Sequence, residues 1–366
     1  MDIQHIREIY GSVPQCAALC KGLADAQIKT FYLRGLLASS APLFFSSLAL
    51  RHGGLIVFVL QDADEAGYFY HDLTQIMGTG NVLFYPSSYR RAVKYGQRDA
   101  ANEILRTEVL SRLSQRSKKA EEGALFIVTC PEALSELVVS KQRLDERTLS
   151  LQVGQAVDIV EAENTLLSFG FQRVDYVYEP GQFAARGSIL DVYSYSSEWP
   201  YRIDFFGDEI DTIRTFTVED QLSKEKKTKI EIVPELSTMA EEKMPLTSFL
   251  PSDALIAVKD LSYVCDTIAR IYDEGFTQQA LAERLEGATE MEQKAIIQTM
   301  SRDSQLVSGT HFKEGIAAFR RIEFGHQPLG TPQLTLSFDI TPQPLFHKNF
   351  DLLTRSLADY VLMGYK

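Results

Sequence analysis

Leu55-Ile-Val-Phe-Val-Leu60 is an unbroken apolar run, and Gln61-Asp62-Ala-Asp-Glu-Ala66 follows it directly. A continuous apolar run this short marks a strand buried on both faces, as in a parallel sheet covered by helices. The acids after it suit the positive N-terminal end of a helix, and Asp62 or Asp64 is placed to cap one over Asp62–Met77. Outward from this pair the alternation repeats. Ile28–Arg34 reads as a strand and Pro42–Arg51 as a helix; Asn81–Tyr85 is a strand and Gln97–Arg116 a long amphipathic helix. Ala124–Thr129 (Ala-Leu-Phe-Ile-Val-Thr) is a second doubly buried strand. Strands spaced by helices predict parallel β-α-β units. The fold class is α/β.

Near residue 150 the texture changes. One helix candidate, Glu161–Phe169, is followed by short strand patterns at Phe171–Tyr178, Phe183–Tyr193, Tyr201–Phe206, Ile210–Val218 and Lys229–Val233. Turn signals such as Pro180-Gly181 and Gly207-Asp208 separate them, which predicts an antiparallel, β-rich unit. The charge run Lys224–Lys229 reads as a solvated hairpin tip. From about Leu236 the first pattern returns. Ala254–Asp260 is a strand, Asp266–Arg302 helical, Phe312–Arg321 a helix, Gln333–Ile340 a strand and Asn349–Met363 a helix. The expected organisation is one discontinuous α/β domain, residues 1–150 and 236–366, interrupted by a β-rich α+β domain at 151–235. The chain stops at Met363-Gly-Tyr-Lys366, directly after a helix, which predicts a longer parent.

The chain has 366 residues, enough for two to three domains at about 150 residues each. It carries 37 Lys and Arg against 49 Asp and Glu, a net charge of −12, which opposes a surface that tracks many phosphates of DNA. Cys16, Cys20, Cys130 and Cys265 lack a second pair at metal-ligand spacing and read as structural thiols. No basic start and apolar run marks a signal peptide, and Arg51-His-Gly-Gly54 breaks the most apolar region, so no membrane span is expected. These features predict a cytoplasmic protein.

Strand, glycine, turn and helix at Gly35-Leu-Leu-Ala-Ser-Ser-Ala-Pro42 have the layout of a phosphate loop, but not its chemistry. Such a loop needs Lys to neutralise phosphate and Ser or Thr to hold magnesium. Ala41 and Pro42 stand in those places. Leu255-Ile-Ala-Val-Lys-Asp260 has the form of a magnesium-binding strand, yet Leu261 follows where an ATPase places Glu. The six histidines are scattered, no G-x-S-x-G elbow exists and no carboxylate pair is lifted above the others. The sequence predicts no catalytic residues, no cofactor and no metal.

One surface stands out. In Tyr201-Arg-Ile-Asp-Phe-Phe206, alternation puts Arg202, Asp204 and Phe206 on one face, with Ile203 and Phe205 on the core side. Arg186 lies on the neighbouring strand candidate Phe183–Tyr193. Arginine beside an exposed aromatic is the composition of a binding hot spot. The plainer alternative is a solvated face with an Arg202–Asp204 ion pair.

The stretch Glu179-Pro-Gly-Gln-Phe-Ala-Ala-Arg-Gly-Ser-Ile-Leu-Asp-Val-Tyr193, with Pro200-Tyr-Arg-Ile-Asp-Phe-Phe-Gly-Asp-Glu-Ile-Asp211 and Ile213–Gln221, closely resembles the region shared by UvrB and the bacterial transcription-repair coupling factor, Mfd. Weaker similarity includes Leu83–Pro86 and Asp339–Phe346. A UvrB would have an intact phosphate loop and a long tyrosine-rich hairpin, whereas only a short connection joins Tyr85 to Gln97. The chain therefore resembles the N-terminal UvrB-like module of the coupling factors, split as domains 1a, 2 and 1b, with a degenerate RecA-like nucleotide site. That resemblance implies a catalytically silent module of nucleotide excision repair whose domain 2 recruits UvrA to lesions where RNA polymerase has stalled. It implies UvrA contacts at Arg186, Arg202 and Phe206, with Asp204 adjacent. It also implies that ATP, magnesium, DNA and RNA polymerase are engaged by regions outside these residues, and that a C-terminal domain masks the UvrA face. The alternative reading is a UvrB-like ATP-dependent helicase or damaged-DNA-binding subunit.

Overall fold

The computed structural model describes residues 2–88, 99–117, 123–236, 243–274, 305–341 and 349–364. Seven strands form an all-parallel sheet in the order Leu334–Ser337, Thr30–Arg34, Arg320–Gly325, Leu255–Lys259, Leu55–Val59, Leu125–Thr129 and Val82–Tyr85. Every residue of Leu55–Val59 and Leu125–Thr129 is buried, as expected of strands covered on both faces. The helix Ala63–Met77 begins where the acids predict, with the Asp62 side chain accepting from the Glu65 amide at 2.8 Å. Gly78, at φ 82°, ends it. Phe58 centres the core, with its ring 4.9 Å from Phe45, 5.0 Å from Phe69 and 5.2 Å from Phe126.

The second sheet has six strands in the order Ser223–Lys227, Glu209–Phe216, Tyr201–Phe206, Ile189–Val192, Gln182–Arg186 and Gln172–Arg173. It has its own core of Leu166, Phe171, Phe183, Leu190, Ile203, Ile210 and Ile213, closed by the helix Ile159–Ser168. The molecule is thus mixed α/β, with a parallel sheet and a separate β-rich sheet. The strands of the parallel sheet come from either side of the β-rich segment in sequence.

Four sequence expectations are corrected. Phe183–Tyr193 is two antiparallel strands, because Gly187 at φ 62° turns the chain after Arg186. Of Phe171–Tyr178 only Gln172–Arg173 pairs in the sheet, while Val177 folds back onto Ala184 and Phe216 over the sheet's outer face. The lysine run is an exposed edge strand, Ser223–Lys227, rather than a hairpin tip; lysines on an edge discourage pairing with other chains. Finally, Phe312–Arg321 is a helix only from Gly309 to Ala317, and Arg320–Gly325 is an interior strand. Its charges hide it in the sequence. Arg320 donates to the carbonyls of Gly22, Leu23, Asp25 and Ile28, and Arg321 pairs with Glu323 at 2.9 Å, so charged residues are accommodated where an apolar run is expected.

The helix expected over Asp266–Arg302 is seen from Leu261 to Glu274; its remainder, most of the connection from Tyr85 to Gln97, and residues 342–346 lie outside the described residues. Among the described residues no helix is long and apolar enough to cross a membrane.

Candidate functional site

The loop with the phosphate-binding layout is occupied by its own chain. The Leu37 amide donates to Ser40 Oγ at 3.0 Å, and the amides of Ser40 and Ala41 donate to the carbonyls of Leu37 and Ala38. The Phe338 carbonyl sits where a Cβ on Gly35 would lie, and the Phe338 amide bonds Arg34 at 2.8 Å. Leu36 and Ala41 are buried. Asp260, at the end of the strand Leu255–Lys259, accepts from Gln61 Nε2 at 2.7 Å and from the His326 amide at 2.6 Å. The amides of Leu37, Ser40 and Ala41 and the Asp260 carboxylate are thus bonded within the protein. Among the described residues no three His, Cys, Asp or Glu side chains are grouped to hold a metal. Cys16, Cys130 and Cys265 are buried free thiols, and burial pushes the first and last up to about 11; Cys20 is half-buried.

The exposed chemistry lies on the β-rich sheet. Tyr201–Phe206 alternates as its sequence requires: Ile203 and Phe205 are buried, and Arg202, Asp204 and Phe206 face away from that core. Opposite Arg202 across the ladder stands Asp191, which is fully buried. Arg202 donates to it twice, from Nε to Oδ1 at 2.7 Å and from Nη2 to Oδ2 at 2.8 Å. Arg186 reaches the same carboxylate from the strand on its other side, Gln182–Arg186, bonding Oδ2 through Nη2. Burial of an unpaired carboxylate is costly, so Asp191 requires these guanidiniums as much as they are held by it. Each arginine also lies over a ring: Arg186 is 4.8 Å from the centroid of Tyr176, and Arg202 is 4.5 Å from that of Phe216. Hydrogen bonding to Asp191 raises the Arg202 pKa above its usual value against the opposing effect of burial.

Asp204 does not pair with Arg202, contrary to the plainer sequence alternative. It accepts from Arg214 Nη2 at 2.7 Å and Thr212 Oγ1 at 2.8 Å on the strand Glu209–Phe216. That strand bulges at Asp211, since Asp204 opposes Thr212 while Phe205 opposes Ile210. Just beyond the bulge Phe206 is 84% exposed, too open to be core. Arg186 is not on the adjacent strand, because Ile189–Val192 intervenes and supplies the carboxylate that unites the two arginines. Asp191, Tyr176, Phe216 and Gln221, whose carbonyl and side-chain oxygens both accept from Arg202, escaped the sequence reading. The available signal was a lone Asp in the otherwise apolar Ile189-Leu-Asp-Val192.

Residues 149–237, which contain this whole cluster, match the family model described as the UvrB interaction domain. Over 247 residues, 67% of this chain, there is 30% identity to a transcription-repair-coupling factor of Bacillus subtilis. The factors of Escherichia coli and Haemophilus influenzae are each 28% identical, over 54% and 55% of the chain. The chain belongs with the UvrB-like modules of transcription-repair-coupling factors. It spans about a fifth of the length of these curated relatives, 20% of the first and 17% of the other two. The arginine cluster and Phe206 therefore form the outer face of the module's UvrB interaction domain.

Proposed function

We propose that this module recruits UvrA through the outer face of its UvrB interaction domain, with Arg186, Arg202 and Phe206 as contacts and Asp204 adjacent. The observation that carries the reading is Phe206, an exposed aromatic on the same sheet face as a clamped arginine pair, within a segment matching that domain. Rigid aromatics and arginines are the side chains that dominate binding energy at interfaces. The parallel sheet is the scaffold: a discontinuous, degenerate RecA-like domain of residues 1–150 and 236–366, catalytically silent, around the inserted 151–235. Repair coupled to stalled RNA polymerase, ATP-driven movement on DNA and masking of the UvrA face by a C-terminal domain belong, in this reading, to other parts of a longer parent.

The test is binding of purified UvrA to this chain and to Arg202→Ala, with circular dichroism confirming both folds. The parent binds, and the variant binds about 30-fold more weakly, the loss of about 2 kcal/mol typical of a central anchor. A folded parent without affinity for UvrA removes the proposal.

A UvrB-like ATPase is the competing reading. A ligand present at 100 times its Kd stabilises a protein by about 2.7 kcal/mol. Because the amides of Leu37, Ser40 and Ala41 bond within the loop and Phe338 lies against Gly35, millimolar Mg-ATP is expected to leave the melting temperature unchanged. A rise of several degrees in a thermal scan would favour the ATPase.

A further inference from the structure

A buried carboxylate in an interior strand is an expensive way to stabilise a sheet. Asp191 lies between Leu190 and Val192, both fully buried, and opposes Ala184 on one neighbouring strand and Arg202 on the other. Replacing such buried ion pairs by apolar residues is often neutral or stabilising, so stability alone does not account for it. What Asp191 does provide is geometry. It holds two guanidiniums from different strands on one carboxylate and turns a +2 pair into a cluster of net charge +1. The neighbouring Arg214–Asp204 pair adds none.

The two arginines are not equivalent within this clamp. A guanidinium has five N–H donors. Arg202, with 16% of its side chain exposed, uses four: two on Asp191 and two on Gln221. Arg186, 37% exposed, uses two: one on Asp191 and one on the Asp175 carbonyl. Arg186 therefore keeps three donors for a partner, while Arg202 is bonded almost wholly within the protein.

We propose that Asp191 is the positioning residue of the docking face, fixing Arg202 as a brace that keeps one donor for contact and presenting the free donor edge of Arg186 to a carboxylate on the partner. The inference rests on the UvrA reading above. Its effect is preorganisation: the arginines lose little freedom on binding because they have already lost it in the free protein. Removing the charge of Asp191 makes the face more positive and so does not slow encounter with an acidic surface. The loss is expected in the lifetime of the complex.

The experiment compares UvrA association kinetics for the unaltered chain, Asp191→Asn, Arg202→Ala and the double variant, with the 15N–1H signal of Arg202 Nε followed in the free proteins. In the unaltered chain the Arg202 Nε–H is protected from exchange, and in Asp191→Asn that protection is lost. Asp191→Asn weakens UvrA at least tenfold through faster dissociation, with association equal or faster. In the Arg202→Ala background the same substitution costs less than threefold, because the brace is already gone. An Arg202 Nε–H that stays protected in Asp191→Asn overturns the proposal whether or not UvrA binds. So does an affinity within twofold of the parent's, or a loss equally large in both backgrounds, the signature of a general fold defect. If the unaltered chain fails to bind UvrA, the recruitment reading falls and the docking role of Asp191 with it, although the exchange measurement still reports whether the brace exists.

Discussion

Phe206→Ala weakens UvrA binding by about 30-fold or more and leaves the melting temperature within about 2 °C of the parent. The two halves of this expectation have separate causes. The ring is 84% exposed in the free module, and it precedes the turn at Gly207, which has φ 64°. Removing it forfeits almost no burial on folding, and surface substitutions of this kind stay within about 0.5 kcal/mol of stability. On docking, however, the whole ring leaves water, and a well-packed central aromatic is worth about 2 kcal/mol or more. Calorimetric titration with UvrA beside a thermal melt reads both quantities. Unchanged affinity removes Phe206 from the contact; a large fall in melting temperature shows that the ring packs against something in the free protein.

Phe58→Ala has the opposite profile. Phe58 is fully buried in the interior strand Leu55–Val59, with the rings of Phe45, Phe69 and Phe126 about it. Deleting a buried phenylalanine removes its transfer energy and leaves a cavity, together about 3–5 kcal/mol. At roughly 2–4 °C per kcal/mol, the transition of the parallel sheet falls by about 6–20 °C. The β-rich sheet has its own core, which shares no residue with that of the parallel sheet. UvrA affinity measured well below the new transition is therefore expected to stay within threefold of the parent's. A large loss of affinity in a variant that is still folded would show that the α/β part takes part in docking and is more than a scaffold.

Local periodicity made much of the fold legible. The runs Leu55–Leu60 and Ala124–Thr129 are buried strands because an apolar stretch too short for a helix has one economical location, between two helical layers. Arg320–Gly325 was missed for the converse reason: Arg320 is satisfied by carbonyls some 290 residues away in the chain, and nothing nearby in sequence announces them. The single-strand reading of Phe183–Tyr193 failed at one glycine, since Gly187 is compatible with a strand until its positive φ is known.

The candidate site divides along the same line. The sequence by itself determined that Arg202, Asp204 and Phe206 share a face opposite Ile203 and Phe205, because side chains alternate along any strand whatever surrounds it. Only the tertiary structure decided which charges meet. Residues two apart on one strand are separated by roughly 6.6 Å along it, whereas cross-strand neighbours bring their Cβ atoms to about 5 Å. Arg202 therefore turns from Asp204, on its own strand, to Asp191, its partner across the ladder, while Asp204 accepts from Thr212, which opposes it, and from the diagonal Arg214. That choice depends on register, and register is a property of the assembled sheet.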